Sequence, residues 1–239
     1  MATPLDLQEQ EQLDSLKAFW KQYGNLLTWT VIAALAAFAG WNGWNYWQRE
    51  QGFKAGALYE ELDRAVAAGN LDRVQRALGD LQAKYPKTAF AEQGSLLVAK
   101  LQFDRGQPEA ARAALTWLAE KGTQDEARTI ARLRLAALQA SEKQYDEALK
   151  TLDAASAVGF ESLVADRRGD ILLAQGKTAE ARAAYQAAWA GMEPTLDYRR
   201  VVDAKLTALG APPAAVAASA PVAATAASAA PTTASGASR

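Results

Sequence analysis

The sequence contains no cysteine and no histidine among its 239 residues. Without cysteine the chain has neither a disulfide nor a thiol nucleophile, and without histidine it cannot form a Ser–His–Asp triad. Both of the usual zinc ligands are missing as well. The compartment stays open, because cysteine-free chains occur on either side of a membrane.

The chain also lacks a strong net charge. Lys and Arg number 26 against 27 Asp and Glu, which gives a net charge of -1, so no global field attracts nucleic acid. Arg128, Arg132 and Arg134 lie among acidic residues without interleaved aromatic residues, which also disfavours nucleic acid. Asp166 and Asp170 share a helix face, as an acid–base pair would, but neighbouring arginines favour a solvated charged surface. We predict a non-enzymatic protein with no catalytic, cofactor or metal site.

Charged residues are missing altogether between Gln22 and Gln48. Residues 26–47 would form a helix of about 33 Å, which is enough for a bilayer core of roughly 30 Å. The sequence therefore predicts a transmembrane helix over 26–47. A buried helix of a soluble protein is one alternative. A cleaved signal peptide is another, since Ala37-Phe38-Ala39 resembles a cleavage site, although several acidic residues precede the run.

Aromatic residues cluster at both ends of this apolar run. Trp and Tyr favour the headgroup region, where the ring meets apolar surroundings and the polar atom stays hydrated. Lys and Arg are divided too evenly around the run to set its orientation. Residues 1–25 are interpreted as a short segment with an amphipathic lead-in on the membrane surface, or a docking site for a cytosolic partner. The predicted membrane-interface residues are Trp20, Tyr23, Trp41, Trp44, Tyr46 and Trp47.

A repeating helical pattern extends over residues 55–210. Its clearest unit covers 161–194, where Gly169 allows close helix approach and Gly176 ends the first helix. Ala181, Tyr185 and Ala188 form the apolar stripe of the second helix, a spacing similar to the tetratricopeptide repeat (TPR). Weaker copies precede this unit. Helix pairs are predicted near 55–68/71–84, 88–105/108–120, 125–141/145–156 and 162–175/178–190, with a capping helix at 196–209.

The predicted fold class is all-α, with a single N-terminal transmembrane helix followed by a TPR-like α-solenoid of about four helix pairs and a capping helix. An irregular bundle of helical hairpins is the alternative. Residues 211–239 contain 14 Ala, 4 Pro and one charged residue, Arg239. That composition predicts a disordered C-terminal tail, or a spacer.

Stacked helix pairs offer a concave groove that is lined by the first helix of each pair. Apolar residues there have core packing as the alternative role. If they are exposed, they would hold a partner helix or an extended chain. The candidate groove residues are Leu96, Lys100, Phe103, Ile130, Leu133, Leu163, Asp166 and Asp170.

Four stretches together resemble the YfgM-like family of ancillary subunits of the SecYEG translocon. They are QLDSLKAFWKQYGN before the apolar run, GWNGWNYW at its end, ARLRLAALQASEKQYDEALKTLD in the third helix pair, and VADRRGDILLAQGKTAEARAAYQAAWA in the fourth. The resemblance covers roughly residues 10–210. The Ala- and Pro-rich tail departs from the family pattern, so its role is not inherited.

The resemblance implies a bacterial inner-membrane protein with a cytoplasmic N-terminus and a periplasmic repeat domain. It implies partners as well: the SecYEG translocon, a PpiD-type periplasmic chaperone, exported client proteins and membrane lipid. The implied function is to help pass newly exported chains to periplasmic chaperones. A TPR scaffold that organises another envelope or division complex is the alternative, and so is the same architecture with the repeat domain in the cytosol.

Overall fold

The computed structural model describes residues 7–212 of the chain, with side chains from Leu13 onward. This part contains nine α-helices and no strand. The tail predicted at 211–239 lies outside the described residues beyond Pro212, as do residues 1–6 of the predicted lead-in. The helices are α1 Leu7–Ala67, α2 Leu71–Lys84, α3 Ala89–Asp104, α4 Pro108–Lys121, α5 Asp125–Ser141, α6 Tyr145–Asp153, α7 Glu161–Ala174, α8 Thr178–Gly191 and α9 Tyr198–Ala208.

The chain divides into two compact units, one that ends at Phe160 and one that begins at Glu161. In the first unit, the C-terminal part of α1 packs against α2, α3 against α4, and α5 against α6. One apolar cluster connects α1 to α5, and its members are Ala55, Leu62, Ala65, Val74, Ala77, Leu78, Leu81, Ala91, Val98, Ala99, Ala114, Leu115, Leu118, Ala119, Ala131 and Leu135. Many of them are alanine, which lets neighbouring helices pack closely.

Turns in the first unit follow from local sequence. Gly69 and Gly106 adopt φ of 67° and 72°, a left-handed conformation that glycine reaches without steric strain. The side chain of Asn70 then caps α2 by accepting a hydrogen bond from the Arg73 backbone N–H at 3.0 Å. Pro108 occupies the first turn of α4, where its missing N–H leaves no hydrogen bond unmade. These signals fix where the helix pairs turn.

The described residues of the second unit, 161–212, contain α7, α8 and α9. A Cβ added to Gly169 would lie 2.5 Å from Cε1 of Tyr185, so the tyrosine ring fills the space that glycine leaves. Tyr185 is 1% exposed, and Ala181 and Ala188 are fully buried. The predicted stripe of α8 is therefore confirmed. Helix α9 contributes two further buried side chains, Val202 and Leu206.

From α2 onward the predicted helices agree with the observed ones to within three residues, and among these α6 differs most, ending at Asp153 instead of near 156. The larger difference concerns α1. The sequence predicts the transmembrane helix at 26–47 and a first repeat helix at 55–68 as separate elements, whereas α1 is one continuous helix through both. Nothing between them breaks a helix: the intervening residues include no proline, and Lys54 pairs with Glu50 one turn earlier at 2.9 Å.

Candidate membrane anchor and partner-binding surface

The first candidate site is the apolar half of α1. Within the described part of the chain, α1 is the helix that is long and apolar enough to cross a membrane. Its large side chains project outward, with Leu35 61% exposed and Phe38 67% exposed. The core helix of a soluble protein would bury such residues. No other part of the described chain covers them here, so the segment needs an apolar environment from outside the domain, such as lipid or a partner protein.

The six predicted interface residues all lie on exposed surface of α1, in two groups. Tyr23 and Trp44 are separated by about 32 Å along the helix axis at 1.5 Å per residue, close to the thickness of a bilayer core. Trp44 and Trp47 form a tilted ring pair with centroids 5.3 Å apart. The geometry suits a headgroup location for both groups, and that location stays a prediction.

Three polar side chains within the apolar segment donate hydrogen bonds to the backbone of the same helix. The Thr28 hydroxyl donates to the Gly24 carbonyl at 2.7 Å, and the Thr30 hydroxyl donates to the Leu26 carbonyl at 2.8 Å. The Asn42 amide donates to the Phe38 carbonyl at 3.0 Å. Because an unpaired polar group is costly in hydrocarbon, these bonds lower the cost of placing the three side chains in lipid.

Five of the predicted groove residues belong to the first unit, on α3 and α5. Phe103 is 54% exposed, and Lys100 is exposed and pairs with Asp104 at 2.6 Å. Leu96 is partly buried against the apolar cluster, and Ile130 and Leu133 are partly buried too. Partly exposed apolar side chains on first helices are what a binding strip would need. Their role in binding a partner stays a prediction.

The other three predicted groove residues lie on α7 in the second unit, and one prediction there is wrong. Leu163 is 37% exposed and Asp170 is partly buried, but Asp166 is 2% exposed. The sequence predicts a solvated surface for Asp166 and Asp170, whereas Lys205 and Tyr198 of α9 cover Asp166. Asp166 is therefore not available to a partner in this arrangement.

A polar network joins α7, α8 and α9 around these carboxylates. The Lys205 ammonium lies 2.8 Å from Asp166 Oδ1 and 2.6 Å from Asp170 Oδ1. The Tyr198 hydroxyl donates to Asp166 Oδ2 at 2.8 Å, and the Tyr185 hydroxyl donates to Asp170 Oδ1 at 2.8 Å. The Lys205 ammonium pairs with both carboxylates, and the Arg167 guanidinium adds a second cation 3.3 Å from Asp170 Oδ2. With the two hydroxyl donors, the carboxylates are both ion-paired and hydrogen-bonded, as burial of charge requires.

The network changes the acidity of its tyrosines. Burial first, and then the hydrogen bond to Asp166, raises the pKa of Tyr198 from 10.0 to about 12. Burial and the hydrogen bond to Asp170 likewise raise the pKa of Tyr185. Both hydroxyls therefore remain protonated donors at neutral pH, which is a structural role. Local sequence did carry a signal, since Tyr198, Val202 and Lys205 recur at helical spacing on one face of α9.

A second buried carboxylate was not predicted from the sequence. Glu92 of α3 is 2% exposed, and its Oε1 accepts hydrogen bonds from the Thr123 N–H at 2.5 Å, the Thr123 hydroxyl at 2.8 Å and the Gln124 N–H at 3.2 Å. These groups lie just before α5, so Glu92 caps a helix from a neighbouring pair. No local pattern reveals a cap whose partner lies 31 residues away.

Over the described residues, no group of three or more Asp and Glu side chains is placed to hold a metal ion. The chemistry that these sites support is packing and recognition: an apolar helix that lacks a partner in water, and a helical surface with partly exposed apolar residues.

Comparison with known proteins relates this architecture to a family. A family model for a tetratricopeptide repeat-like domain matches residues 17–211. The match therefore includes the apolar half of α1 as well as the repeats and α9.

Curated relatives carry one shared name. The ancillary SecYEG translocon subunit of Neisseria gonorrhoeae is 28% identical over 204 residues, which cover 85% of this chain and 98% of that protein. The ancillary SecYEG translocon subunit of Escherichia coli is 32% identical over 179 residues, 75% of this chain and 86% of that protein. The protein of that name from Haemophilus influenzae is 29% identical over 182 residues, 76% of this chain and 89% of that protein.

Proposed function

Because this chain belongs to the family of ancillary SecYEG translocon subunits, which have a tetratricopeptide repeat-like domain, we propose that it is a non-enzymatic, membrane-tethered interaction module of the protein-export channel. Residues 26–47 cross the bacterial inner membrane once, and the repeat domain binds partners beside the channel. Its contribution is recognition combined with tethering, so no catalytic group is required.

The observation that carries this proposal is the continuity of α1. The helix that supplies the apolar segment also supplies Ala55, Leu62 and Ala65 to the core of the repeat domain. Because the anchor and the first helix of the repeat domain are one helix, the domain is held close to the bilayer. That confinement raises the local concentration of the domain at a membrane channel, and weak contacts then suffice for function.

The proposed partner surface runs along α3 and α5. Phe103 and Leu133 offer apolar area there, and the exposed Lys100 adds a polar edge. An apolar strip with a charged rim fits an extended, newly exported chain or a helix of a chaperone. We assign this surface to exported client proteins and to a PpiD-type periplasmic chaperone that receives them.

The proposed topology has the N-terminus in the cytoplasm and the repeat domain in the periplasm. In this arrangement the partner surface meets chains as they leave the channel. Support comes from the family relationship and from the length of the domain that follows the anchor. A TPR scaffold for another envelope or division complex remains the second candidate, favoured by the partner-binding character that repeat folds share.

Photo-crosslinking in living cells tests the proposal. A photo-reactive amino acid replaces Gly40 in the apolar segment, Phe103 on α3, or Leu133 on α5. We expect adducts of the Gly40 probe with a SecYEG subunit, and adducts of the Phe103 and Leu133 probes with an exported protein or a periplasmic chaperone. The matched control is a probe at Glu120, which is exposed on α4, a second helix.

The outcomes separate the candidates. Adducts at Gly40 with division or envelope-assembly proteins instead of SecYEG would support the scaffold. Equal client adducts at Phe103 and Glu120 would remove α3 and α5 as the partner surface. Protease digestion of the repeat domain in intact spheroplasts checks the topology: protection until lysis would place the domain in the cytosol and contradict transfer to periplasmic chaperones.

A further inference from the structure

The structure places one loop of the repeat domain next to the point where α1 leaves its apolar segment. Helix α2 turns back along α1, so the α2–α3 loop at 85–88 returns to the start of the repeat domain. The first turn of α3 confirms this position: a Cβ on Gly56 would lie 3.4 Å from Cζ of Phe90, and the Tyr59 and Phe90 rings are 5.6 Å apart. Tyr85 lies near enough to Lys54 to help raise the pKa of that ammonium, after the larger effect of Glu50.

Four cationic side chains lie on this loop, on the last turn of α2 and on residues 49–54 of α1. Lys54 is paired with Glu50 at 2.9 Å and Lys84 with Asp80 at 3.1 Å, so these four groups nearly cancel. Arg49 and Lys87 are exposed and form no ion pair within residues 13–212. The surface defined by Arg49, Lys54, Lys84 and Lys87, which we term the basic collar, therefore carries four cations against two carboxylates.

The collar lies at the height of a membrane surface. Lys54 follows Trp47 by seven residues, or about 10 Å along α1 at 1.5 Å per residue. The headgroup layer adds roughly 5–8 Å on each side of the hydrocarbon core, so a lysine side chain at this height reaches its outer boundary. Because α1 is one unbroken helix, the loop is held near that level by the anchor itself.

We propose that the basic collar is a lipid-binding surface, and that the α2–α3 loop rests on anionic phospholipid headgroups beside the anchor. A bilayer is the occupant because the collar is continuous with the aromatic belt of the anchor and has the opposite charge to an anionic leaflet. This contact would orient the repeat domain on the membrane. It depends on α1 spanning the bilayer and not on the translocon.

The test uses the full chain in proteoliposomes, where the absence of native cysteine permits single labelling sites. Ala83→Cys places a fluorophore in the last turn of α2 beside the collar, and Ala68→Cys places one at the opposite end of α2. Both alanines are exposed. Quenching by phospholipids with a nitroxide headgroup is measured in vesicles of phosphatidylcholine alone and in vesicles that also contain phosphatidylglycerol.

We expect quenching at position 83 to exceed that at 68 in both kinds of vesicle. With phosphatidylglycerol, quenching at 83 should rise about twofold over its value in phosphatidylcholine, since the charged leaflet attracts the collar, and high salt should remove this rise. K84Q/K87Q should lower quenching at 83 to its value in phosphatidylcholine. R73Q/R76Q, which removes the same charge at the far end of α2, should leave it unchanged, with circular dichroism verifying folding of both variants.

Three results would overturn the proposal. Equal quenching at 83 and 68 would mean that the loop is not near the bilayer. Quenching at 83 that ignores lipid charge would mean that the anchor alone sets the position. Loss of quenching in buffer with inorganic phosphate, at constant ionic strength, would mean that the collar takes free phosphate. None of these results bears on the translocon, which the vesicles do not contain.

Discussion

The two halves of α1 place the same kinds of residue in opposite surroundings. Between Leu26 and Trp47 the large apolar side chains are exposed, whereas Ala55 and Leu62 are fully buried a few turns later. The first half is apolar on every side, and the second has an apolar stripe with charged residues such as Glu60 and Arg64 on its outer face. All-round apolarity is typical of a lipid-embedded helix, and a stripe is typical of a helix on a protein core. One continuous helix thus has the surface of a lipid-embedded helix in its first half and that of a helix packed on a protein core in its second half.

Shortening a buried side chain in the second half of α1 should produce the largest effect on stability. Leu62→Ala removes a fully buried side chain that contacts the α3 backbone region at Gly94, and should lower the free energy of unfolding by about 2–5 kcal/mol. Leu35→Ala makes the same truncation in the exposed half and should change the stability of the repeat domain little. Denaturant unfolding in detergent micelles measures both. Equal losses would mean that Leu35 also packs in a core.

A charge introduced into the exposed half of α1 should weaken membrane anchoring and leave the stability of the repeat domain unchanged. Leu35→Arg places a guanidinium near the middle of the apolar segment, where it costs about 3 kcal/mol. We expect the protein to become extractable from membranes by alkaline carbonate while its repeat domain stays folded. Phe53→Arg is the control, since Phe53 is 82% exposed but lies outside residues 26–47. If Leu35→Arg stays fully in the membrane pellet, residues 26–47 are not the span.

The repeat domain, unlike the apolar segment, contains a buried charged group, and removing its counter-ion tests that difference. Lys205→Met leaves Asp166 buried without this counter-ion and should lower the free energy of unfolding by about 3 kcal/mol, the low end for a broken buried pair because Lys205 is partly exposed. Lys177→Met, on an exposed residue before α8, should change stability by less than about 0.5 kcal/mol. Membrane extraction should be normal for both variants. A loss with Lys177→Met that matches Lys205→Met would show that the network does not matter.

The smallest predicted effect is a pH dependence. The pKa of Tyr198 is about 12 in the folded protein against 10.0 for a free tyrosine, so the protonated hydroxyl is favoured by folding. Its contribution is present in full below pH 10 and is lost as pH rises toward 12. Tyr198→Phe should flatten the decline of the unfolding free energy over that range. An identical decline in both proteins would contradict the hydrogen bond to Asp166.

Local signals made the helices and turns predictable. Gly176 marked the end of α7, and Ala181, Tyr185 and Ala188 marked the buried stripe of α8, because a tight turn and a helical period each depend on a few neighbouring residues. The charge-free run identified the apolar half of α1 in the same way. The fold class therefore followed from patterns within single helices.

Contacts between distant residues were not predictable. Glu92 meets Thr123, and Asp166 meets Lys205, across 31 and 39 residues, and each carboxylate looked like an ordinary surface charge in its own helix. The continuity of α1 was missed for a different reason. Charged residues begin again at Arg49, which marked the end of the predicted transmembrane helix, yet charged residues do not prevent a helix from continuing.

A distance measured across the two halves of α1 in a bilayer tests the central claim most directly. Spin labels at Ala34→Cys and Ala57→Cys, in a chain without other cysteines, report one label in the apolar segment and one in the repeat domain. A continuous helix predicts one narrow distance distribution near 35 Å, at about 1.5 Å per residue. A broad distribution at shorter distances would mean that the helix breaks at the membrane surface, and would contradict an anchor that is also the first helix of the repeat domain.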